Sequence, residues 1–110
     1  MPRDYRVYLD DILSAITKIR AYTHGFSFKE FSADSKTVDA VVRNLEIIGA
    51  AVKHVPGDVR VQTSAVEWNK IAGLRDILAH EYFGVDLEII WEVIQHKLDT
   101  LEQAVRSVLR

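Results

Sequence analysis

Apolar residues recur every three or four positions along almost the whole chain, and this helical period constrains the fold more than any other feature. One such stripe lies between residues 38 and 52, and a second lies between residues 87 and 108. A half-buried strand would instead alternate apolar and polar residues with a period of two. The pattern predicts an all-α protein in which amphipathic helices bury their apolar sides against one another.

Glycine and capping residues divide the beginning of this pattern into two helical segments. A first helix is expected from about residue 4 to residue 22, and Gly25 suits the left-handed position that follows a helix. Ser27 and Glu30 have the spacing of a capping box. They predict a short helical turn that ends near residue 33.

A long helix and an irregular segment are expected next. Asp34 or Ser35 can cap a helix that continues to about residue 54. The Pro-Gly pair in VPGDVRVQT, residues 55–63, then breaks the chain. VRVQT alternates weakly like a strand, but it is short and has no second strand with which to pair. This segment is therefore predicted to be irregular.

The last part of the chain is expected to form two more helices. Ser64 and Glu67 again have capping-box spacing and would start a helix that ends near Gly84. Asp86 would cap a final helix that runs to about residue 109. The whole sequence is predicted to form one domain, residues 1–110, as a bundle of four long helices plus a short one.

Composition limits the classes of function. The chain has 110 residues, 48% of them hydrophobic and 27% charged, as in a soluble globular protein. Its net charge of −2 argues against a strongly basic nucleic-acid clamp but permits a local basic site. The absence of cysteine excludes disulfides, thiolate metal sites and cysteine catalysis. No apolar run approaches the roughly 20 residues of a membrane span, and MPRDYRVYLDD lacks the apolar core of a signal peptide. We expect a cytoplasmic protein that does not enter a membrane.

The segment RDILAHEY, residues 75–82, places a guanidinium, an imidazole and a phenol within an amphipathic helix. At about 100° per residue, Arg75 falls in the middle of the apolar stripe formed by Trp68, Leu78 and Tyr82. An unpaired charge on such a stripe is too costly to bury. Arg75 is therefore expected to have a buried partner, to lie at a subunit interface or to bind an anionic ligand.

Arg75 and His80 do not converge on one ideal helix, because five residues set them about 140° apart. They could meet if the helix frays near Gly84, or if two copies of the helix face each other. Arg75 and Tyr82 lie on nearly the same side, since seven residues return to within about 20°. This geometry predicts a symmetric dimer that buries the face with Arg75 and Tyr82.

The spacing R-x4-H-x-Y resembles the signature of HepT-like proteins, a toxin family in the HEPN superfamily of helical domains. VVRNLEIIGAAVKHV, residues 41–55, is similar to the long helix of that family. VEWNKIAGLRDILAHEYFGVDLEIIWEVIQHKLDTLEQ, residues 66–103, is similar to its C-terminal half. With YLDDILSAITKI near the N-terminus, the resemblance covers most of the chain. One departure is Ala50, where relatives often carry an acidic residue.

The resemblance implies an endoribonuclease toxin with a homodimeric HEPN-type fold and RNA as its substrate. It assigns catalysis to Arg75 and His80. Members are usually encoded beside a small nucleotidyltransferase antitoxin, which attaches AMP to the tyrosine that matches Tyr82. Asp76 fits the polar residue common at that position in the family, and it either orients Arg75 or His80 or is merely exposed.

The chemistry of RNA agrees with this assignment. RNA carries its own nucleophile, the 2′-hydroxyl, so cleavage needs proton transfer and charge stabilisation but no metal. Histidine titrates near neutrality, and arginine offers phosphate a fixed fork of donors. We expect a metal-independent ribonuclease without a cofactor. In a dimer, one His80 would act as base and the other as acid, and Tyr82 would contact RNA.

A function of a different class is also consistent with the motif. The protein would then be a non-catalytic partner that binds a nucleotide or regulates the adjacent nucleotidyltransferase. The intact pair of Arg75 and His80 favours the nuclease, whereas the lack of a clear basic track favours the partner. Arg43, Lys53 and Arg60 could supply a weak track for RNA, although a plain solvated face is the better interpretation of these residues.

Two tryptophans and three isolated histidines are assigned structural positions. Trp68 and Trp91 are expected to pack in the core or at an interface rather than to stack on a base. His24, His54 and His96 are expected in loops or on the surface.

Overall fold

The computed structural model of the chain describes residues 4–80 and 86–109 and, within them, all side chains except those of residues 75–77, 79 and 80. These two ranges contain seven α-helices and no strand, which confirms the all-α prediction. The helices are α1 (Tyr5–Thr23), α2 (Phe28–Ala33), α3 (Ser35–Val52), α4 (Gly57–Gln62), α5 (Trp68–His80), α6 (Leu87–His96) and α7 (Leu98–Leu109).

The predicted caps of the first helices are confirmed. Helix α1 ends at Thr23, and Gly25 adopts a φ of 77°, a conformation that favours glycine. Ser27 and Glu30 form a complete capping box, with both backbone-to-side-chain bonds at 3.1 Å. The hydrogen bond that the Ser27 backbone N–H donates to the Glu30 carboxylate lowers the pKa of Glu30, and the Ser27 side chain adds to the effect. Asp34 caps α3, as one of the two predicted alternatives.

Residues 57–62 form helix α4, so the prediction of an irregular segment here is wrong. Pro56 precedes the helix with a φ of −61°, which suits a helix start, and Asp58 lies in the first turn, where its charge complements the helix dipole. The alternation that resembled a strand arises from a short amphipathic helix. Val59 is buried, whereas Val61 is 77% exposed.

The start of α5 also differs from the prediction. The helix begins at Trp68, and Ser64 lies in a preceding turn rather than at the helix cap. In this turn the backbone N–H of Val66 donates to the carbonyl of Thr63 at 3.0 Å. The capping-box spacing of Ser64 and Glu67 therefore does not mark the start of a helix. The predicted end of the helix at Gly84 lies outside the described residues.

The final predicted helix is divided into α6 and α7. Asp86 caps α6 as predicted, by accepting the N–H of Glu88 at 2.9 Å. Lys97 then interrupts the helix, with φ −107° and ψ −28°, while its N–H still bonds to the carbonyl of Val93. The described chain therefore has α1 and α3 as its two longest helices, and the predicted count of four long helices plus a short one does not match it.

Helix α3 occupies the centre of the fold. It packs against α1 on one side and α5 on another, and α1 also packs against α7. The core around these helices is apolar and almost completely buried, so this is where most of the apolar surface is removed from water. The largest fully buried side chains of the core belong to Leu9, Ile12, Ile16, Ile19, Phe31, Leu45, Ile48, Leu78, Ile90, Leu98 and Leu101.

A charged cluster joins the first helix to the last one. The Arg20 guanidinium contacts the carboxylates of Asp99 and Glu102, and Arg106 approaches Glu102 at 3.0 Å. The hydrogen bond from Arg20 lowers the pKa of Glu102, and Arg106 adds to the effect. These contacts tie α1 to α7 across 79 to 82 residues of sequence.

Candidate active site

Helix α5 carries three of the four predicted site residues. Arg75, Asp76 and His80 all lie within its range, whereas Tyr82 lies outside the described residues. Because the backbone is helical up to His80, positions 75 and 80 are about 140° apart around its axis. Fraying before His80 therefore does not bring these two positions together in one copy. That their side chains share a site stays a prediction.

The first residue of α5 is fixed by a buried hydrogen-bond cluster. Trp68 is 6% exposed, and its indole Nε1 donates to the Oγ1 of Thr63 at 3.1 Å and to the Thr63 carbonyl at 3.2 Å. The Thr63 hydroxyl donates in turn to the Val59 carbonyl at 2.7 Å. The prediction that Trp68 packs in the core is confirmed, and its contacts hold α5 against the end of α4.

The apolar stripe around Arg75 is partly covered within the chain itself. Trp68 lies near one end of the stripe and Leu78, which is 1% exposed, lies beyond Arg75. Between them, Ile71 is only half-buried. Because α5 already packs these residues into the core, the stripe alone does not require a second copy of the chain. The dimer stays a prediction.

A charged bridge joins the beginning of α5 to the junction of α6 and α7. The Glu67 carboxylate forms ion pairs with Lys70 at 2.7 Å and with Lys97 at 3.0 Å, and Lys97 also donates a hydrogen bond to it. The hydrogen bond from Lys70, followed by that from Lys97, lowers the pKa of Glu67 to about 2. The same contact raises the pKa of Lys70. Opposite charges this close favour the charged form of each partner.

Arg60 has a structural role that differs both from the solvated position that the sequence favours and from a weak RNA track. Its Nη2 donates to the Val52 carbonyl at 2.6 Å and its Nε donates to the Val55 carbonyl at 3.2 Å. Val52 is the last residue of α3, where the helix leaves its acceptors without internal donors, and Val55 lies in the turn that follows. Arg60 therefore caps α3, while Arg43 and Lys53 are exposed.

The three isolated histidines lie on the surface or in turns, as predicted. His24 is exposed in the turn after α1, and His96 is exposed at the end of α6, with Glu92 at 3.8 Å. His54 is exposed and stacks on Tyr8, with ring centroids 4.1 Å apart. Their separate positions agree with surface roles.

The second tryptophan packs against helix α2. Trp91 is half-buried, and its ring centroid lies 5.1 Å from that of Phe31 and 6.2 Å from that of Phe28. These tilted rings have the geometry of favourable aromatic pairs. The predicted packing role of Trp91 is confirmed.

Sequence reasoning missed both the Arg60 cap and the Glu67 bridge. A basic residue shortly after a Pro-Gly break is a usable signal for Arg60, because cations favour helix C-termini. Glu67 and Lys97 are 30 residues apart, and no local spacing relates them. They come together only in the folded chain.

In the parts of the chain that the structure describes, no helix is both long and apolar enough to cross a bilayer. Within the same residues, no three His, Asp or Glu side chains are grouped so that they could hold a metal ion. Metal-independent chemistry stays a prediction.

Comparison with known proteins identifies the family. The family model described as Ribonuclease HepT-like matches residues 12–108. A protein of Caldanaerobacter subterraneus subsp. tengcongensis, named as a candidate RNase, is 45% identical over 105 residues, which cover 96% of this chain and 94% of that protein. A Thermococcus cleftensis protein named "Probable ribonuclease HepT" is 39% identical over 102 residues, which cover 93% of each chain.

A third relative extends the same result. A protein of Methanocaldococcus jannaschii, named as a candidate RNase, is 40% identical over an alignment of 111 positions that covers 100% of this chain and 92% of that protein. No solved structure matches the chain. The matches span nearly the whole sequence, including the segment with Arg75 and His80. The chain belongs to the HepT-like ribonuclease family of the HEPN superfamily.

Proposed function

We propose that the protein is an endoribonuclease toxin that cleaves RNA without a metal ion, through Arg75 and His80. The observation that carries this proposal is its membership of a ribonuclease family together with the presence of both residues on one continuous helix, α5. The relatives described above are themselves named as RNases. We propose that the protein acts in the cytoplasm.

The proposed reaction uses the 2′-hydroxyl of RNA as nucleophile. His80 accepts the 2′-hydroxyl proton, the 2′-oxygen forms a bond to the adjacent phosphorus, and the bond from phosphorus to the 5′-oxygen breaks. A second acid protonates the departing 5′-oxygen, so the products carry a 2′,3′-cyclic phosphate and a 5′-hydroxyl. Arg75 binds the phosphate oxygens and stabilises the charge that develops on them. Asp76 is proposed to orient one of these two side chains.

The second acid is proposed to be His80 of a second copy of the chain. On α5, positions 75 and 80 lie on different sides of the axis, so one copy does not readily bring its own Arg75 and His80 to one phosphate, and it has a single His80 for two proton transfers. Two helices related by a twofold axis would supply two arginines and two histidines to one cleft. A stable monomer at micromolar concentration by light scattering would contradict this part of the proposal.

Tyr82 is proposed to contact RNA and to accept AMP from a nucleotidyltransferase antitoxin. Its phenol would attack the α-phosphorus of ATP, with release of pyrophosphate and the phenolic proton. The AMP phosphate would then place a negative charge near Arg75 and compete with RNA for it. A phenol with a reference pKa near 10 is a poor base at neutral pH, so Tyr82 is not assigned to proton transfer.

One observation favours the alternative, a non-catalytic partner subunit that binds a nucleotide or regulates the nucleotidyltransferase. Arg60 is one of the three cations that could form a weak RNA track, and its guanidinium donates to the backbone carbonyls of Val52 and Val55. The track is therefore weaker than the sequence indicated. A partner subunit would need the motif only for docking and modification.

Cleavage of an RNA oligonucleotide by the purified protein in EDTA separates the two functions. The parent is compared with His80→Ala and Arg75→Ala. Matched controls are His24→Ala and Arg43→Ala, which remove exposed residues of the same types. Loss of proton transfer should reduce the rate of the His80 variant by about 10²–10⁴-fold, with both controls unchanged. Equal activity of the parent and both motif variants would remove the nuclease assignment from this motif.

A further inference from the structure

A cleft of about 470 Å³ opens between α5 and the α6–α7 segment. Leu45 and Ile48 of α3 are almost fully buried and form its floor, whereas Ile89 of α6 is 58% exposed and lies at its rim. Ile71 of α5 and Val93 of α6 also line it. This volume is within the range of roughly 300–1,000 Å³ that is usual for small-molecule sites. The walls of the cleft are suited to bind the apolar part of a ligand and provide few hydrogen-bond partners for it.

The charged bridge at the beginning of α5 lies at this cleft. Glu67, Lys70 and Lys97 all contribute to its lining. Both ammonium groups contact the one carboxylate, at 2.7 and 3.0 Å, so the trio carries a net charge of +1. A lysine ammonium has three donors, and one contact to Glu67 leaves donors for a further acceptor. The polar part of the cleft therefore favours an anion.

We propose that this cleft binds an amphipathic organic anion. Its apolar body lies between α5 and α6, and its acid group contacts Lys70 and Lys97. Apolar burial supplies most of the affinity, and the excess of positive charge selects an acid over a neutral molecule of the same shape. Binding requires no part of the proposed nuclease activity.

A ligand in the cleft would also affect the candidate active site, because both lie on α5. Leu74 lines the cleft and immediately precedes Arg75 on α5. A ligand that moves α5 relative to α6 would therefore change RNA cleavage. This consequence rests on the proposed function, so binding is measured separately and without RNA.

Gly73 allows the cleft to be blocked. It lies within α5 and lines the cleft, and a Cβ added there would meet no atom within 4 Å. Gly73→Leu would place a side chain in this space, and leucine also has a higher helix propensity than glycine. Gly57→Leu is the matched control, because its Cβ also meets no atom within 4 Å and Gly57, at the start of α4, does not line the cleft.

The test is a fluorescence titration with 1-anilinonaphthalene-8-sulfonate, an aromatic body with one sulfonate. We expect one saturable site per chain in the parent and in Gly57→Leu, and at least a tenfold loss of affinity in Gly73→Leu. Displacement by decanoate and by indole-3-acetate then distinguishes an acyl chain from an aromatic acid. Decan-1-ol provides the neutral match for decanoate. Lys70→Gln with Lys97→Gln should weaken decanoate about two- to fivefold, as expected for exposed charges, and leave decan-1-ol unchanged.

Three results would overturn the proposal. Binding to Gly73→Leu as tight as to the parent would place the probe elsewhere, and equal affinity for decanoate and decan-1-ol would remove the charge selection. Absence of probe binding by the parent, with Gly73→Leu changing the mass measured by light scattering, would show that a second copy fills the cleft. If circular dichroism shows that Gly73→Leu is unfolded, Val93→Phe blocks the same cleft from α6 and takes its place in each comparison.

Discussion

Trp68 and Thr63 are joined by two hydrogen bonds, from the indole Nε1 to the threonine Oγ1 at 3.1 Å and to the threonine carbonyl at 3.2 Å. Both residues are buried, and both lie at boundaries, since Thr63 ends α4 and Trp68 begins α5. The helix that carries Arg75 and His80 is therefore fixed at its start by a contact between neighbouring elements. Substitutions at this contact should therefore lower the free energy of unfolding.

Trp68→Phe should lower the free energy of unfolding by about 2 kcal/mol, because the indole donor is lost and the smaller ring leaves a void. Urea denaturation measures the change. Trp91→Phe is the control, since Trp91 is half-buried and packs on Phe31. Each variant keeps one tryptophan as a fluorescent probe. A loss for Trp68→Phe no larger than that for Trp91→Phe would contradict the anchoring role.

Arg60→Gln should lower the free energy of unfolding by about 1–2 kcal/mol, because the carbonyls of Val52 and Val55 lose a charged donor. RNA affinity should change no more than it does in Arg43→Gln, which removes an exposed arginine from α3. Thermal denaturation and RNA-binding titrations measure both properties. Unchanged stability with weakened RNA binding would instead return Arg60 to the RNA track.

The stabilisation from Glu67 should disappear in acid. The fold lowers the pKa of Glu67 from its ordinary value of 4.5 to about 2. The charged contacts with Lys70 and Lys97 therefore contribute fully to the free energy of unfolding above pH 4.5. They are lost as the pH falls from 4.5 through about 2. The unfolding midpoint of the parent should exceed that of Glu67→Gln at pH 7, and this difference should close over that acid range. A difference that stays constant down to pH 2 would exclude the bridge as its cause.

Co-expression with the cognate nucleotidyltransferase should add one or more AMP units to Tyr82 and suppress RNA cleavage. The added phosphate would compete with RNA for Arg75. Tyr82→Phe should keep at least part of the toxicity and escape this suppression. Intact-mass spectrometry follows the modification, and growth assays follow the toxicity. Full neutralisation of the Phe variant would leave Tyr82 as a structural tyrosine.

The first three helices could be predicted because local chemistry sets their ends. Gly25 takes the left-handed conformation, and Ser27 and Glu30 satisfy each other's backbone groups within four residues. The division at Lys97 could not be predicted from the same signals. Ile94 before it and Leu98 after it are both buried, and neither glycine nor proline marks the break. The apolar spacing therefore continues through an interruption of the backbone.

The candidate site also has features that could be predicted from the sequence and features that could not. The spacing of Arg75 and His80 is local and could be recognised in the sequence, and the structure places both on α5. The cleft on the same helix could not be predicted, because Ile71 and Val93 line one space only once α5 and α6 are placed in the fold. The stripe around Arg75 also appeared to lack cover in the sequence, whereas α5 packs Leu78 into the core of its own chain.

The most direct test of the central claim is an analysis of product ends after RNA cleavage in EDTA. The substrate is an RNA oligonucleotide, and its match is the same oligonucleotide with a 2′-deoxy residue at the mapped cleavage position. The account predicts a 2′,3′-cyclic phosphate and a 5′-hydroxyl from the RNA, no cleavage of the 2′-deoxy match at that position, and loss of both products in His80→Ala. A 3′-hydroxyl end, or cleavage of the 2′-deoxy match at that position, would contradict it.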